Sequence, residues 1–123
     1  MCPTRLYIAD EHASVRSALA ERLERDASLT VIGQSGNAEE MLREIRQDKP
    51  DVVLVEVKRS DGMGLEIIRQ ISNLPEPPYL IVLTSYPSEW EEEAANRAGA
   101  TAYLLKNIAT GDLIHHIAQL LDR

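Results

Sequence analysis

The chain contains no phenylalanine, one tryptophan and four tyrosines in 123 residues. A core rich in aromatics is therefore excluded, and an aliphatic core is expected. It has a single cysteine, Cys2. An intrachain disulfide is impossible, a cysteine-rich zinc site is excluded, and the cytoplasm is the expected compartment. Cations are in deficit: 13 Lys and Arg stand against 20 Asp and Glu, a formal net charge of −7. A domain with this balance is not expected to bind nucleic acid by neutralising phosphates. Long apolar runs are missing too. The longest, residues 52–55 and 79–83, fall far short of the about 20 residues that span a bilayer, and no membrane association is expected. The first residues, Met-Cys-Pro-Thr-Arg, lack the apolar segment of a secretory signal. There is no internal repeat, low-complexity tract or linker, so a single domain over residues 1–123 is expected.

What is present is a core: 44% of the residues are hydrophobic, which argues against disorder. Their pattern alternates from end to end. Residues 5–9 form a short apolar run, followed by a helical stretch with Val15, Leu19 and Leu23 four apart. Residues 29–32 are rich in β-branched side chains and are closed by Gly33. Asn37 and Glu40 read as a capping box, with Met41, Leu42 and Ile45 as the stripe behind it, and Pro50 ends that helix. Residues 51–55 are continuously apolar after Asp51. The next helix carries Leu65, Ile68 and Ile71 and ends near Asn73 and Pro75. Residues 79–83 form another apolar strand. Ser88 and Glu91 read as a second capping box, Trp90, Ala94 and Ala98 share a face, and Gly99 stands where a helix would stop. Residues 101–105 are the last strand, and Leu113, Ile114, Ile117, Leu120 and Leu121 stripe the last helix.

Five apolar strands alternating with five helices predict a parallel sheet buried on both faces. The right-handed crossover rule makes a doubly wound three-layer α/β sandwich the natural arrangement. Ligands of such sheets bind beyond the carboxyl ends of the strands, so the residues just after each strand are the ones to weigh. They are Asp10, Glu11 and His12 after the first, Glu56 and Lys58 after the third, Thr84 and Ser85 at the fourth, and Lys106 after the fifth. Taken singly, each has an ordinary reading as a solvated loop charge, a helix cap or a packed β-branched residue. Taken together, three acids, a hydroxyl and an ammonium converge on one edge. Close carboxylates need compensation, which a hard divalent cation such as Mg²⁺, or Lys106 in part, would supply.

At these residues the chain resembles a known family, the CheY-like receiver domains of two-component response regulators. The opening Leu6-Tyr-Ile-Ala-Asp-Glu-His12 with Val15-Arg16 and Leu19 matches the family's acidic start. It is most similar to the subgroup whose receivers precede a LuxR/NarL-type helix-turn-helix domain. Residues 50–55 with Gly64-Leu-Glu66 match the phosphoacceptor strand and its helix, Leu83-Thr-Ser85 the switch strand, and Ala102-Tyr-Leu-Leu-Lys106 the strand-5 lysine. The resemblance implies a flavodoxin-like (βα)5 fold with strand order 2-1-3-4-5. It implies a phosphoacceptor position at Glu56 and a Mg²⁺ site made by Asp10, Glu11, Glu56 and the Lys58 carbonyl. Phosphoryl contacts and switching would fall on Thr84, Tyr103 and Lys106. It implies a signalling module rather than a turnover enzyme. The expected partners are a histidine kinase, an output domain, or a second copy docking through the fourth helix, fifth strand and fifth helix. A free-standing receiver and the amino-terminal part of a longer regulator both fit.

The departures matter. The phosphoacceptor position holds Glu rather than Asp, Arg59-Ser60 replaces the usual Met-Pro, and Asn107 follows Lys106 where proline is widespread. Glutamate places its oxygens about one C–C bond further out, and a misplacement of about 1 Å can cost about 10²-fold in rate. The same length carries the carboxylate toward the phosphoryl position, where Lys106 and Thr84 would donate to it. A receiver biased toward its active-like state by Glu56 is the expectation. A drifted receiver acting only as an interaction module is the alternative. A small phosphatase of the haloacid-dehalogenase type would need a second Asp two residues after its nucleophile, where this chain has His12. The lone Gly62-Met-Gly64 reads as loop and helix start, and adjacent His115 and His116 point to different helix faces and do not make a zinc pair. Trp90 is expected to be buried, and Glu91, Glu92 and Glu93 to be a solvated start to the fourth helix.

Overall fold

The pleat of each strand sends neighbouring side chains to opposite faces, and both faces are covered. The computed structural model describes residues 2–121. The elements run β1 (Thr4–Ala9), α1 (Ala13–Glu24), β2 (Leu29–Ser35), α2 (Ala38–Asp48), β3 (Val52–Val55), α3 (Gly64–Ser72), β4 (Tyr79–Thr84), α4 (Glu89–Ala98), β5 (Ala102–Leu105) and α5 (Thr110–Leu121). The five strands are all parallel, in the order β2-β1-β3-β4-β5, as expected. Tyr7, Ala9, Val53, Val55, Leu80 and Val82 face α2, α3 and α4, where Met41, Ile45, Ile67, Ile68 and Ile71 fill the layer. Leu6, Ile8, Val52, Leu54, Ile81 and Leu83 face Leu19 and Leu23 of α1 and Leu113 and Ile117 of α5. Each fully buried aliphatic side chain contributes about 1.5–3 kcal/mol.

Gly33 does not close β2. The strand continues to Ser35, and the register shifts between Leu6 and Tyr7, so that Tyr7 pairs with Gly33. A Cβ on Gly33 would lie 2.8 Å from the Tyr7 ring. The glycine is where a buried aromatic crosses a neighbouring strand, not where a strand ends.

α4 is rotated relative to the expected face. Trp90 is 70% exposed, while Glu91, Ala95 and Ala98 are buried. Its carboxyl end is fitted closely to α3. A Cβ on Gly99 would lie 2.4 Å from the Ser72 side chain, and Ser72 Oγ donates to the Ala98 carbonyl at 2.9 Å.

Candidate functional site

β1 and β3 are neighbours at the centre of the sheet, so the residues that follow them, Asp10 and Glu56, stand side by side. Both are almost fully buried, at 4% and 6% exposed. The Glu56 N–H donates to the Ala9 carbonyl, extending the β1–β3 ladder, and the Lys106 N–H does the same to Thr84 across β4–β5. From there the Lys106 side chain crosses the end of β4. Its Nζ lies 2.9 Å from Asp10 Oδ2 and 3.0 Å from Glu56 Oε1. The cavity that these three side chains border, lined also by aliphatic residues of β1, β3, β4 and α1, holds only about 10 Å³.

Each acid has further partners. Asp10 Oδ1 accepts the His12 N–H at 2.9 Å and lies 3.1 Å from His12 Nδ1. Burial pushes the Asp10 carboxyl up, but the bonds from His12 and Lys106 outweigh it and hold the group below the usual carboxylate range. Burial likewise opposes the Lys106 charge, and its bonds to Asp10 and Glu56 reverse that and raise its affinity for the proton. Glu56 Oε2 accepts the Lys58 N–H at 3.2 Å. Glu11 turns to the β3–α3 loop: its two oxygens accept from Ser60 N–H and Ser60 Oγ, both at 2.8 Å. Those bonds lower the Glu11 carboxyl's affinity for the proton. Arg59 lies beneath that loop, its side chain 3% exposed, donating through Nη2 to the Gly36 carbonyl at 2.8 Å. Thus Arg59-Ser60 ties the loop to the β2–α2 connection and draws Glu11 toward it.

The remaining expected residues form a second group. Thr84, fully buried, does not bond Glu56. Its Oγ1 accepts from Lys58 Nζ at 3.3 Å and from the Tyr86 N–H at 3.2 Å. The expected donation from Thr84 to Glu56 is not made; the hydroxyl serves instead as acceptor for the Lys58 ammonium and the Tyr86 N–H. The same Nζ donates to the Tyr86 carbonyl and to Glu91 Oε1, each at 2.6 Å. Tyr103 donates to Glu91 Oε2 at 2.7 Å and accepts the Ser88 N–H at 3.2 Å. Burial and the Glu91 carboxylate push the Tyr103 phenol up to about 12. Sequence reasoning named only the carbonyl of Lys58 and took Glu91 for solvated. Ser88 does cap α4 by accepting the Glu91 N–H, but the Glu91 side chain turns inward instead of returning to Ser88.

The donors implied for Mg²⁺ do not fit a cation as they are arranged. Asp10 and Glu56 already share an ammonium, both Glu11 oxygens are taken by Ser60, and among the described residues no three such side chains gather at one point. A site would require Lys106 and Glu11 both to exchange partners.

Residues 6–118 match the response regulator receiver domain. The chain belongs to this family. It is 35% identical over 105 residues to the DNA-binding transcriptional activator DevR/DosR of Mycobacterium tuberculosis, covering 85% of this chain and 48% of that protein. It is 33% identical over 121 residues to the transcriptional regulatory protein PdtaR of the same species, covering 98% of this chain and 58% of that protein. The receiver therefore spans about half the length of the curated relatives it matches. Its fold is similar to that of the signal receiver domain of the response regulator NarL from M. tuberculosis. There the TM-score is 0.88 at 18% identity, covering 98% of this chain and 97% of that one. Receivers are generally signalling modules, and no helix among the described residues of this one is long and apolar enough to cross a membrane.

Proposed function

We propose that this receiver works in the cytoplasm as a two-component signalling module that does not cycle by phosphorylation, with Glu56 in place of the phosphoacceptor biasing it toward one, active-like state. The observation that carries this reading is the Glu56 carboxylate held at both oxygens, by Lys106 Nζ at 3.0 Å and by the Lys58 N–H at 3.2 Å. An oxygen so engaged is a poor nucleophile, and phosphoryl transfer depends almost wholly on positioning and electrostatics. The ammonium that would stabilise a phosphoryl group is instead stabilised by the acid itself. Mimicry of a phosphate is partial, because one negative charge replaces about −1.5 to −2.

In this reading Asp10 and Glu56 use Lys106 in place of Mg²⁺, and calorimetric titration with millimolar MgCl₂ gives no saturable heat. No turnover is attributed to the chain. Its partners are a histidine kinase, an output domain or a second copy, met through α4, β5 and α5. A second reading, an interaction module without a built-in signal, is favoured by Thr84 being bonded to Lys58 rather than Glu56.

The experiment is incubation with acetyl phosphate or a phosphorylated kinase in Mg²⁺, followed by intact mass. No gain of one phosphoryl group is expected. A gain that disappears in Glu56→Gln refutes the main reading. Comparing partner binding by wild type and Glu56→Gln separates the two readings: a loss in the variant supports the bias, and equal binding supports the interaction module.

A further inference from the structure

Lys58 is two residues past the phosphoacceptor position, and its side chain is only 43% exposed. It makes four hydrogen-bonding contacts. Its backbone N–H holds Glu56 Oε2. Its ammonium holds Thr84 Oγ1 at the end of β4, the Tyr86 carbonyl in the β4–α4 connection, and Glu91 Oε1 in the first turn of α4. Glu91 passes the connection on to the Tyr103 hydroxyl of β5, which also accepts the Ser88 N–H at the α4 cap. The result is an unbroken chain from β3 through β4 and α4 to β5.

The apolar attachment of α4 is slight by comparison. It buries two alanines, Ala95 and Ala98, where α3 buries three isoleucines. Burial of apolar area scales with the area removed from water, so the amino-terminal half of α4 depends on polar ties. Glu91, with 8% of its side chain exposed, is the anchor. A buried carboxylate of this kind is strongly unfavourable once its partner is removed.

We infer that Lys58 is a positioning residue that tethers α4 and Tyr103 to the end of β3 through Glu91. The α4–β5 face is thereby held to the end of β3 by side chains of the chain itself. The inference deepens the proposed function, since it supplies the means by which a receiver without a phosphoryl cycle keeps a fixed output face. It differs from it in resting on Lys58 and Glu91, not on the chemistry of Glu56.

The test is hydrogen exchange, read by mass spectrometry on peptides covering residues 89–98, with urea unfolding of each variant as the control for global stability. Lys58→Met and Glu91→Gln are each expected to speed exchange in this segment by tenfold or more, while α1 and α5 peptides keep wild-type rates. The double variant is expected to exchange no faster than either single one, because both remove the same tie. Lys58→Arg, which keeps the charge and the donors, is expected to stay within about threefold of wild type. Wild-type exchange in folded Lys58→Met overturns the inference. So does acceleration spread evenly over all helices, or multiplication of the two single effects in the double variant. Phosphorylation of Glu56 would refute the proposed function and leave the α4 rates to decide the tether separately.

Discussion

Replacing Lys106 with methionine tests the electrostatic design of the site. The side chain is one-fifth exposed, whereas its partners Asp10 and Glu56 are about 5% and 7% exposed. Methionine keeps most of the aliphatic stem and deletes the charge. Removing one partner of a buried ion pair costs about 3–5 kcal/mol, and the partial exposure of Lys106 places the loss near the lower end, about 3 kcal/mol. Asp10 keeps its His12 partners, and Glu56 keeps only the Lys58 N–H. With a urea slope of about 1.5 kcal/mol per molar, the midpoint falls by about 2 M at pH 7. Two buried acids without a cation resist ionising together. The variant's deficit is therefore expected to shrink as the pH is lowered toward 5. The assay is urea unfolding at both pH values for wild type, Lys106→Met, Glu56→Gln and the double variant. The double variant is expected to recover at least about 1 kcal/mol relative to additivity. A loss below about 1 kcal/mol, equal at the two pH values and additive with Glu56→Gln, would show that the cluster is effectively solvated and refute the reasoning.

Asp10 has its proton affinity lowered by folding, so its stabilising contribution is present above the ordinary carboxylate range and is lost as the pH falls below about 4. Asp10→Asn is expected to make the acid limb of a plot of urea midpoint against pH shallower, the other lowered carboxylates keeping the rest. Lys106 and Tyr103 are shifted upward, so their contributions are complete below their ordinary values near 10 and fade only at higher pH; a midpoint that declines between pH 7 and 9 would contradict this. Gly64 opens α3 at a close approach, where a Cβ would lie 2.0 Å from the Val57 carbonyl oxygen. Gly64→Ala is expected to cost upwards of about 2 kcal/mol in urea unfolding by forcing the β3–α3 loop off its helix. Trp90→Ala is expected to change stability by less than about 0.5 kcal/mol, and wild-type Trp90 to emit at long wavelength and be quenched freely by acrylamide; blue, protected emission would contradict its exposure.

The fold was readable because burial on both faces leaves a simple trace. Unbroken aliphatic strands, caps at Asn37 and Ser88, and Gly99 at the end of α4 all act locally. Placing the strand-end residues required only the rule that a parallel sheet gathers its ligands at one edge, and Asp10, Glu56 and Lys106 do meet there. What was less readable depended on choices among partners. Gly33 looked like a stop because nothing in its neighbourhood along the chain reveals that the Tyr7 ring crosses it. Trp90 and Glu91 are adjacent, and a rotation of one residue decides which faces inward. Hydrophobicity alone favours Trp90; the long reach of Lys58 and the hydroxyl of Tyr103 decide for Glu91. Glu11 belongs to the acidic opening by type, yet Ser60, 49 residues away, offers it two donors.

The close seat between Gly99 and Ser72 gives α4 a mechanical character. One end of the rod is dovetailed into its neighbour, and the other is guyed by a salt link. Were the link released, such a rod would pivot rather than slide. From Ala98 to Trp90 is about 12 Å at 1.5 Å per residue, so a tilt of about 10° sweeps the indole through about 2 Å. Any molecule that grips the indole would therefore have leverage over the far strand ends, and a small torque there would be felt at the centre of the sheet.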